Sequence, residues 1–176
     1  MDMPLPPGCD TRLKRFADYL SRKAAPGKLA GRQDIDPLEL RDLLGSLVLH
    51  DVVPQKGGGQ RYRTRLVGTR VVELLGGDTT GQFLDERLSP ERGALIIGHF
   101  DRVVETKQPH YFGGKLSNRN REHILVQRVC FPLARNGEDV DMLAIVMVGL
   151  NVDRQAPATP VANAADDQRR GFSWLR

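Results

Sequence analysis

Residues Arg61 to Glu86 read "RYRTRLVGTRVVELLGGDTTGQFLDE", and three kinds of patterning follow one another within them. Arg61, Arg63 and Arg65 alternate with Tyr62, Thr64 and Leu66, the period of a half-solvated strand. Thr69 then caps a brief helix, "RVVELL", which Gly76 and Gly77 stop. The closing "GGDTTGQFLDE" ends in acid, and it either holds a ligand or merely joins elements. A phosphate loop needs Lys and then Ser or Thr after its last glycine, whereas Gly81 is followed by Gln82. Asp78, Thr79 and Thr80 instead suit a turn closed by side-chain-to-backbone hydrogen bonds.

Working back from Arg61, the triple glycine Gly57-Gly58-Gly59 and Pro54 separate this strand from "SLVLHDVV", so the two runs form a hairpin. Before it, "DIDPLELRDLLG" predicts a short helix, with Asp36 as cap, Pro37 in the first turn and Gly45 as stop. Further back, "DTRLKRFADYLSRK" carries Leu13, Phe16, Ala17 and Leu20 on one helical face. A helix of about four turns is marginal alone in water, so this stripe docks on its own domain or on another copy. Homodimerisation through Leu13, Phe16 and Leu20 is the expectation.

Forward from Glu86, Ser89-Pro90-Glu91 opens a longer helix that runs to about Thr106. Ile96, Ile97, Phe100, Val103 and Val104 share one arc of it, which marks a face packed on a sheet. Three strands follow, in "PHYFGGKLS", "EHILVQRVCFPLA" and "DMLAIVMVGLNV", joined by the turns "NRNR" and "RNGED". The last strand is apolar on both faces and is therefore expected to be covered on both sides.

These elements predict an α+β fold, a five-stranded antiparallel sheet with helices inserted after the second strand. Residues 1–10 are read as an extension and 11–152 as one domain with its N-terminal helix. Residues 153–176 are rich in Pro, Ala and polar side chains, the composition of a flexible tail, and end in "GFSWLR".

Composition narrows the function classes. Of 176 residues, 40% are hydrophobic and 27% charged, and no apolar run approaches the roughly 20 residues of a membrane helix. No secretory signal opens the chain, so a cytoplasmic location is expected. Cys9 and Cys130 have neither CxxC spacing nor a disulfide framework. The formal charge of +4 comes with scattered arginines and only 6% aromatics, which argues against a nucleic-acid module. No serine elbow, HExxH motif or facing carboxylate pair occurs, so no catalysis is expected; Asp34 and Asp36 read as turn and cap.

The order strand-strand-helices-strand-strand-strand, together with "DIDP" at Asp34–Pro37, "YRTRLVGT" at Tyr62–Thr69 and "GGDTTGQFLDE" at Gly76–Glu86, resembles the PAS fold. Arg128 and Pro132 fit its late strand. Within that fold it looks like one branch, the small single-domain PAS proteins common in alphaproteobacteria, over about residues 11 to 150. The early helix departs from the pattern with Leu20 where a tryptophan is usual, and the triple glycine lengthens the first hairpin.

The resemblance implies a sensory or regulatory protein that acts by binding a regulatory partner, with a small apolar ligand in its core as an open alternative to a filled one. Leu66, Ile96, Phe100, Phe112, Val126, Val129 and Met147 are the expected pocket lining, or equally plain core. The long helix is where haem-binding PAS domains place their axial histidine, which brings His99 forward. Its position at the margin of the buried arc argues against that role, and no cofactor is expected. His50, His110 and His123 show no ligand spacing.

Arg61, Arg63 and Arg65 form a basic strand face, with Arg119 and Arg121 in a nearby turn. The face either solvates an edge strand or receives an acidic surface or anion. Arg61-x-x-x-Arg65 also matches half of a cyclic-dinucleotide signature whose partner motif is absent.

Overall fold

The structure is a computed structural model that describes residues 5–116 and 124–150. Arg119, Arg121, His123, the "NRNR" turn and the C-terminal "GFSWLR" segment lie outside the described residues. Helix α1 (Thr11–Lys23) precedes the hairpin β1 (Leu47–Pro54) and β2 (Gln60–Val67). Helices α2 (Thr69–Leu75), α3 (Leu84–Arg87) and α4 (Pro90–Thr106) follow, and then β3 (His110–Lys115), β4 (Leu125–Leu133) and β5 (Met142–Leu150). Among the described residues the strands form one antiparallel five-stranded sheet in the order β2-β1-β5-β4-β3. The predicted fold class, and the order of strands and helices along the chain, are those observed.

β5 is the middle strand, and its composition requires that place. Met142, Ala144, Val146 and Val148 point to one face while Leu143, Ile145 and Met147 point to the other, so water must be kept from both. α2 and α4 cover the second face, where Phe100 and Val103 pack on Leu143 and Ile145. α1 covers the first.

α1 corrects the expectation of a dimer stripe. Asp10 caps the helix, its carboxylate accepting from the Arg12 N–H at 2.9 Å. Leu13 and Phe16 have no exposed surface and Leu20 has 4%, because all three are packed on the chain's own sheet with Leu49, Phe131 and Val146. Phe16 meets Phe131 edge-on, ring centroids 5.4 Å apart. The stripe is therefore core and is not available to a second copy.

The "DIDPLELRDLLG" segment is also not the helix predicted. Asp36 Oδ1 does accept from the Leu38 N–H at 2.8 Å, as a cap would. The following bonds are short-range, Leu40 N–H to Pro37 O and Leu43 N–H to Leu40 O, and the run tightens into a 3-10 turn at Leu44–Ser46. Tyr19 explains the difference. Its hydroxyl donates to Asp34 O at 3.0 Å and accepts from the Asp36 N–H at 2.8 Å, tying the segment to α1 while Leu40 and Leu43 are drawn under it. A run this short lacks the length to oppose that anchoring with helical bonds of its own.

At the other end of the hairpin, Gly68 sits against the 3-10 turn. A Cβ there would meet Leu44 O at 2.1 Å and Gly45 O at 2.5 Å, so only glycine fits.

Phe16→Ala is expected to cost about 3–5 kcal/mol of unfolding free energy in urea denaturation. Sedimentation of Phe16→Ala and of the native chain should give the same oligomeric state; a change of state only in the variant would return the stripe to an intermolecular role.

Candidate functional site

The helical cover and the sheet do not close completely. Between them is a cavity of about 60 Å³, with Val48 and His50 of β1, Arg128 of β4 and Ile145 and Met147 of β5 on the sheet side. Ile96 and Phe100 of α4 face them, and Thr79, Leu84 and Arg87 enter from the segment that follows α2.

That segment contains the "GGDTTGQFLDE" turn, and it does two things. Gly76, at φ 78°, ends α2 in a left-handed cap. Asp78 Oδ1 then accepts from the Thr80 N–H at 2.9 Å and the Thr80 hydroxyl at 2.7 Å, and these bonds hold its carboxyl below the usual carboxylate range. Gly81, at φ 85°, turns the chain so that its N–H reaches Thr64 O at 2.7 Å while Gln82 O receives the Thr64 N–H at 2.9 Å. The turn thereby lies along the outer edge of β2, and it delivers Thr79, buried, to the cavity. Residues 84–87, expected as the end of that turn, are a further short helix, α3.

Phe100 is the best-braced wall. Its ring meets Tyr62 at 5.1 Å and 82°, and His50 at 5.2 Å. Tyr62 is held in turn by Asp101, accepting from the phenol at 2.6 Å, and by Gln60, which donates to the phenol oxygen at 2.9 Å. Burial, reinforced by the Asp101 carboxylate, raises the Tyr62 phenol far above its usual range, so it remains a donor. This network fixes α4 to β2.

His50 is 5% exposed, with Nδ1 3.4 Å from Thr64 Oγ1. Burial and the positive charge of Arg87 push its pKa down to about 3, so the ring is neutral at pH 7. Arg128 is buried in the middle of β4, and burial pulls it down to about 10, leaving it charged. Its guanidinium lies 5.5 Å from the centre of the Phe112 ring. Arg87, lowered by burial as well, comes from α3 on the opposite wall.

Of the expected lining residues, Ile96, Phe100 and Met147 do line the cavity. Val129 does not, because side chains alternate along a strand: Val126 and Arg128 point to the helices, whereas Val129 lies under α1. Leu66 is 38% exposed for a subtler reason. The register runs His50 with Thr64 and then Leu49 with Leu66, which leaves Arg65 as the extra residue of a β-bulge. Beyond the bulge the alternation inverts, turning Leu66 outward and Val67 inward. Phe112 and Val126 are core residues beside the cavity, not its lining.

The basic strand face is already neutralised. Arg61 donates to Asp85 and Glu86 at 2.9 and 2.6 Å and lies 3.8 Å from the centre of the Phe83 ring. Arg63 pairs with Asp51 at 2.9 Å, and Arg65 approaches the same carboxylate at 3.6 Å. Of the two readings of this face, the acids supplied by α3 and β1 favour a matched, solvated edge over a receptor for an anion or acidic surface.

His99 is brought against His110, Nδ1 to Nε2 2.9 Å, a juxtaposition that sequence spacing did not reveal. Its ring stacks on Phe112 with centroids 4.3 Å apart. Burial first, and nearby arginines second, lower the pKa of His99. His99 is not among the cavity walls, and about 60 Å³ is far below the room a macrocycle needs, so these residues do not fit a haem.

His50, Thr79, Arg87 and Arg128 are the site residues that sequence reasoning missed. Two of them carried a signal. Val126-x-Arg128-x-Cys130 and Val48-x-His50-x-Val52 each place one polar side chain among inward apolar ones, the pattern of a polar group turned into a core.

A twisted antiparallel sheet in this strand order, with α2–α4 inserted between its second and third strands and a cavity beneath them, defines the PAS class of domain. Comparison with known families agrees, since the profile described as "PAS domain" matches residues 10–147; the chain belongs to that family. A comparison with curated proteins finds no match. Among solved structures, the chain is similar to a sensory box sensor histidine kinase from Vibrio cholerae, at 14% identity and a TM-score of 0.44, covering 65% of this chain and 90% of that one. It is also similar to the PAS domain of an HTR-like protein from Haloarcula marismortui, at 19% identity and a TM-score of 0.40, covering 80% and 98%.

The lowered His50 pKa has a sign. Unfolding frees the ring to bind a proton below about 6.5, so stability falls as pH drops from there toward about 3, by up to ~1.4 kcal/mol per pH unit for one such histidine. Urea denaturation from pH 7 to 4 should show this slope, and His50→Gln should flatten it; an unchanged slope in the variant would remove His50 as its source.

Proposed function

We propose that this chain is a sensory or regulatory PAS module that binds a small molecule in its core and transmits the binding state to a partner protein, without catalysis of its own. The observation that carries this reading is the cavity between sheet and helices, bounded by apolar walls and a few converging polar groups. A scaffold with a filled core has no use for such a space, and native interiors contain few voids larger than a water molecule.

The route outward runs through α4. Ile96 and Phe100 on its inner face touch the cavity, while Leu95, one residue away, is 63% exposed. A ligand that shifts the inner face moves an apolar side chain on the outer one, and a partner that reads Leu95 reads occupancy. Among the described residues no helix is long and apolar enough to cross a membrane. The reading does not depend on a particular compartment or on self-association.

The test uses the full chain in its own host. A photo-crosslinking residue in place of Leu95 is expected to capture a partner, and Met147→Trp, which fills the cavity, should change the yield. Native mass spectrometry of the purified chain should show a small-molecule adduct that Met147→Trp loses. Crosslinking indifferent to the cavity, with no adduct in either protein, would overturn the sensing role.

A further inference from the structure

We propose that the cavity receives a small oxyanion, an organic carboxylate or an inorganic anion of similar size, through Arg87 and Arg128. The proposal rests on the sensing role and specifies its ligand.

The charges of the cavity are one-sided. Arg87 and Arg128 both line it, and among the described residues no Asp or Glu does. Arg128 is only 6% exposed, and neither guanidinium has an ion-pair or hydrogen-bond partner among the described residues. Several arginines elsewhere in the molecule do have acid partners. Arg12 pairs with Asp10, Arg15 with Asp42, Arg61 with Asp85 and Glu86, and Arg63 with Asp51, although each is more exposed than Arg128. Arg128 is buried and Arg87 half-buried, and no acid among the described residues faces either across the cavity, so part of the cost of desolvating these charges is not offset by an ion pair. An incoming anion supplies the missing charge.

The remaining walls suit the same guest. Guanidinium presents paired N–H donors that match two oxygens of one carboxylate or oxyanion. Thr79 adds a hydroxyl, and His50 is held neutral, so it repels no cation and demands no second anion. At roughly 10–15 Å³ per water, a cavity of about 60 Å³ has room for about four to six such positions, the size of acetate, nitrate or phosphate. Because Arg87 stands on α3 and Arg128 on β4, one anion held by both ties the helical cover to the sheet.

Isothermal titration and thermal unfolding of the full chain at pH 7 provide the test, with sodium acetate, nitrate and phosphate as probes. Sodium chloride at equal ionic strength and acetamide, the neutral isostere of acetate, serve as controls. At least one oxyanion should bind and raise the unfolding temperature by about 5–10 °C at a hundredfold excess over its Kd. Which probe does so separates a carboxylate from an inorganic ligand. Arg128→Met should lose the response and, relieved of an unpaired buried charge, unfold without anion no earlier than the native chain. Arg87→Gln should weaken binding at least tenfold and decides the matter if Arg128→Met does not fold.

Equal stabilisation by acetamide or chloride, or no oxyanion bound below about 10 mM, would overturn the anion site. So would binding that both variants retain. The sensing role would still stand if crosslinking at position 95 continued to depend on Met147→Trp.

Discussion

A strand with two apolar faces has to be covered twice, and β5 imposes that condition on everything around it. Burying Ala144 and Val146 requires a layer that the three inserted helices cannot supply, because they already occupy the side of Leu143 and Ile145. α1 and the anchored segment after it provide the second cover. The N-terminal helix is thus part of the domain's interior, and its amphipathicity reports a layer of this fold instead of a dimer interface.

The two faces of the sheet have different character as a result. The α1 face is continuous, with Phe16, Phe131 and Leu133 fully packed. The α2–α4 face carries every buried polar side chain of the cavity, His50, Thr79 and Arg128 among them. Polar groups are costly in a core unless something satisfies them, so their segregation to one face leaves the α1 face as the purely apolar one. One layer is closed throughout, while the other keeps a cavity lined by those polar groups.

Much of the fold could be read from residues alone, since periodicity is a local property. The alternation in β2, the arc on α4 and the caps at Gly76 and Ser89-Pro90 depend on neighbours a few positions away. The "DIDP" segment was misread because its local cap is real, yet its course is decided by Tyr19 far from it in sequence. Leu66 was misplaced by a bulge at Arg65, which no alternation rule anticipates. The site was legible only in part. Ile96, Phe100 and Met147 follow from facing the core, whereas the meeting of Arg87 with Arg128 needs α3 laid across the sheet. Val129 was an avoidable error, being out of phase with Val126 on the same strand.

Placing the last strand in the middle also sets the order in which the molecule can form. Leu47 pairs with Val146, about 100 residues later, and β4 finds its second neighbour in the same strand. The β1–β2 hairpin can close locally, but it cannot join β3 and β4 until β5 has been synthesised and inserted between them. Until then both halves present unpaired strand edges and uncovered apolar side chains. Such a topology folds late and slowly, and a nascent chain stopped short of Met142 is two half-sheets exposed to aggregation.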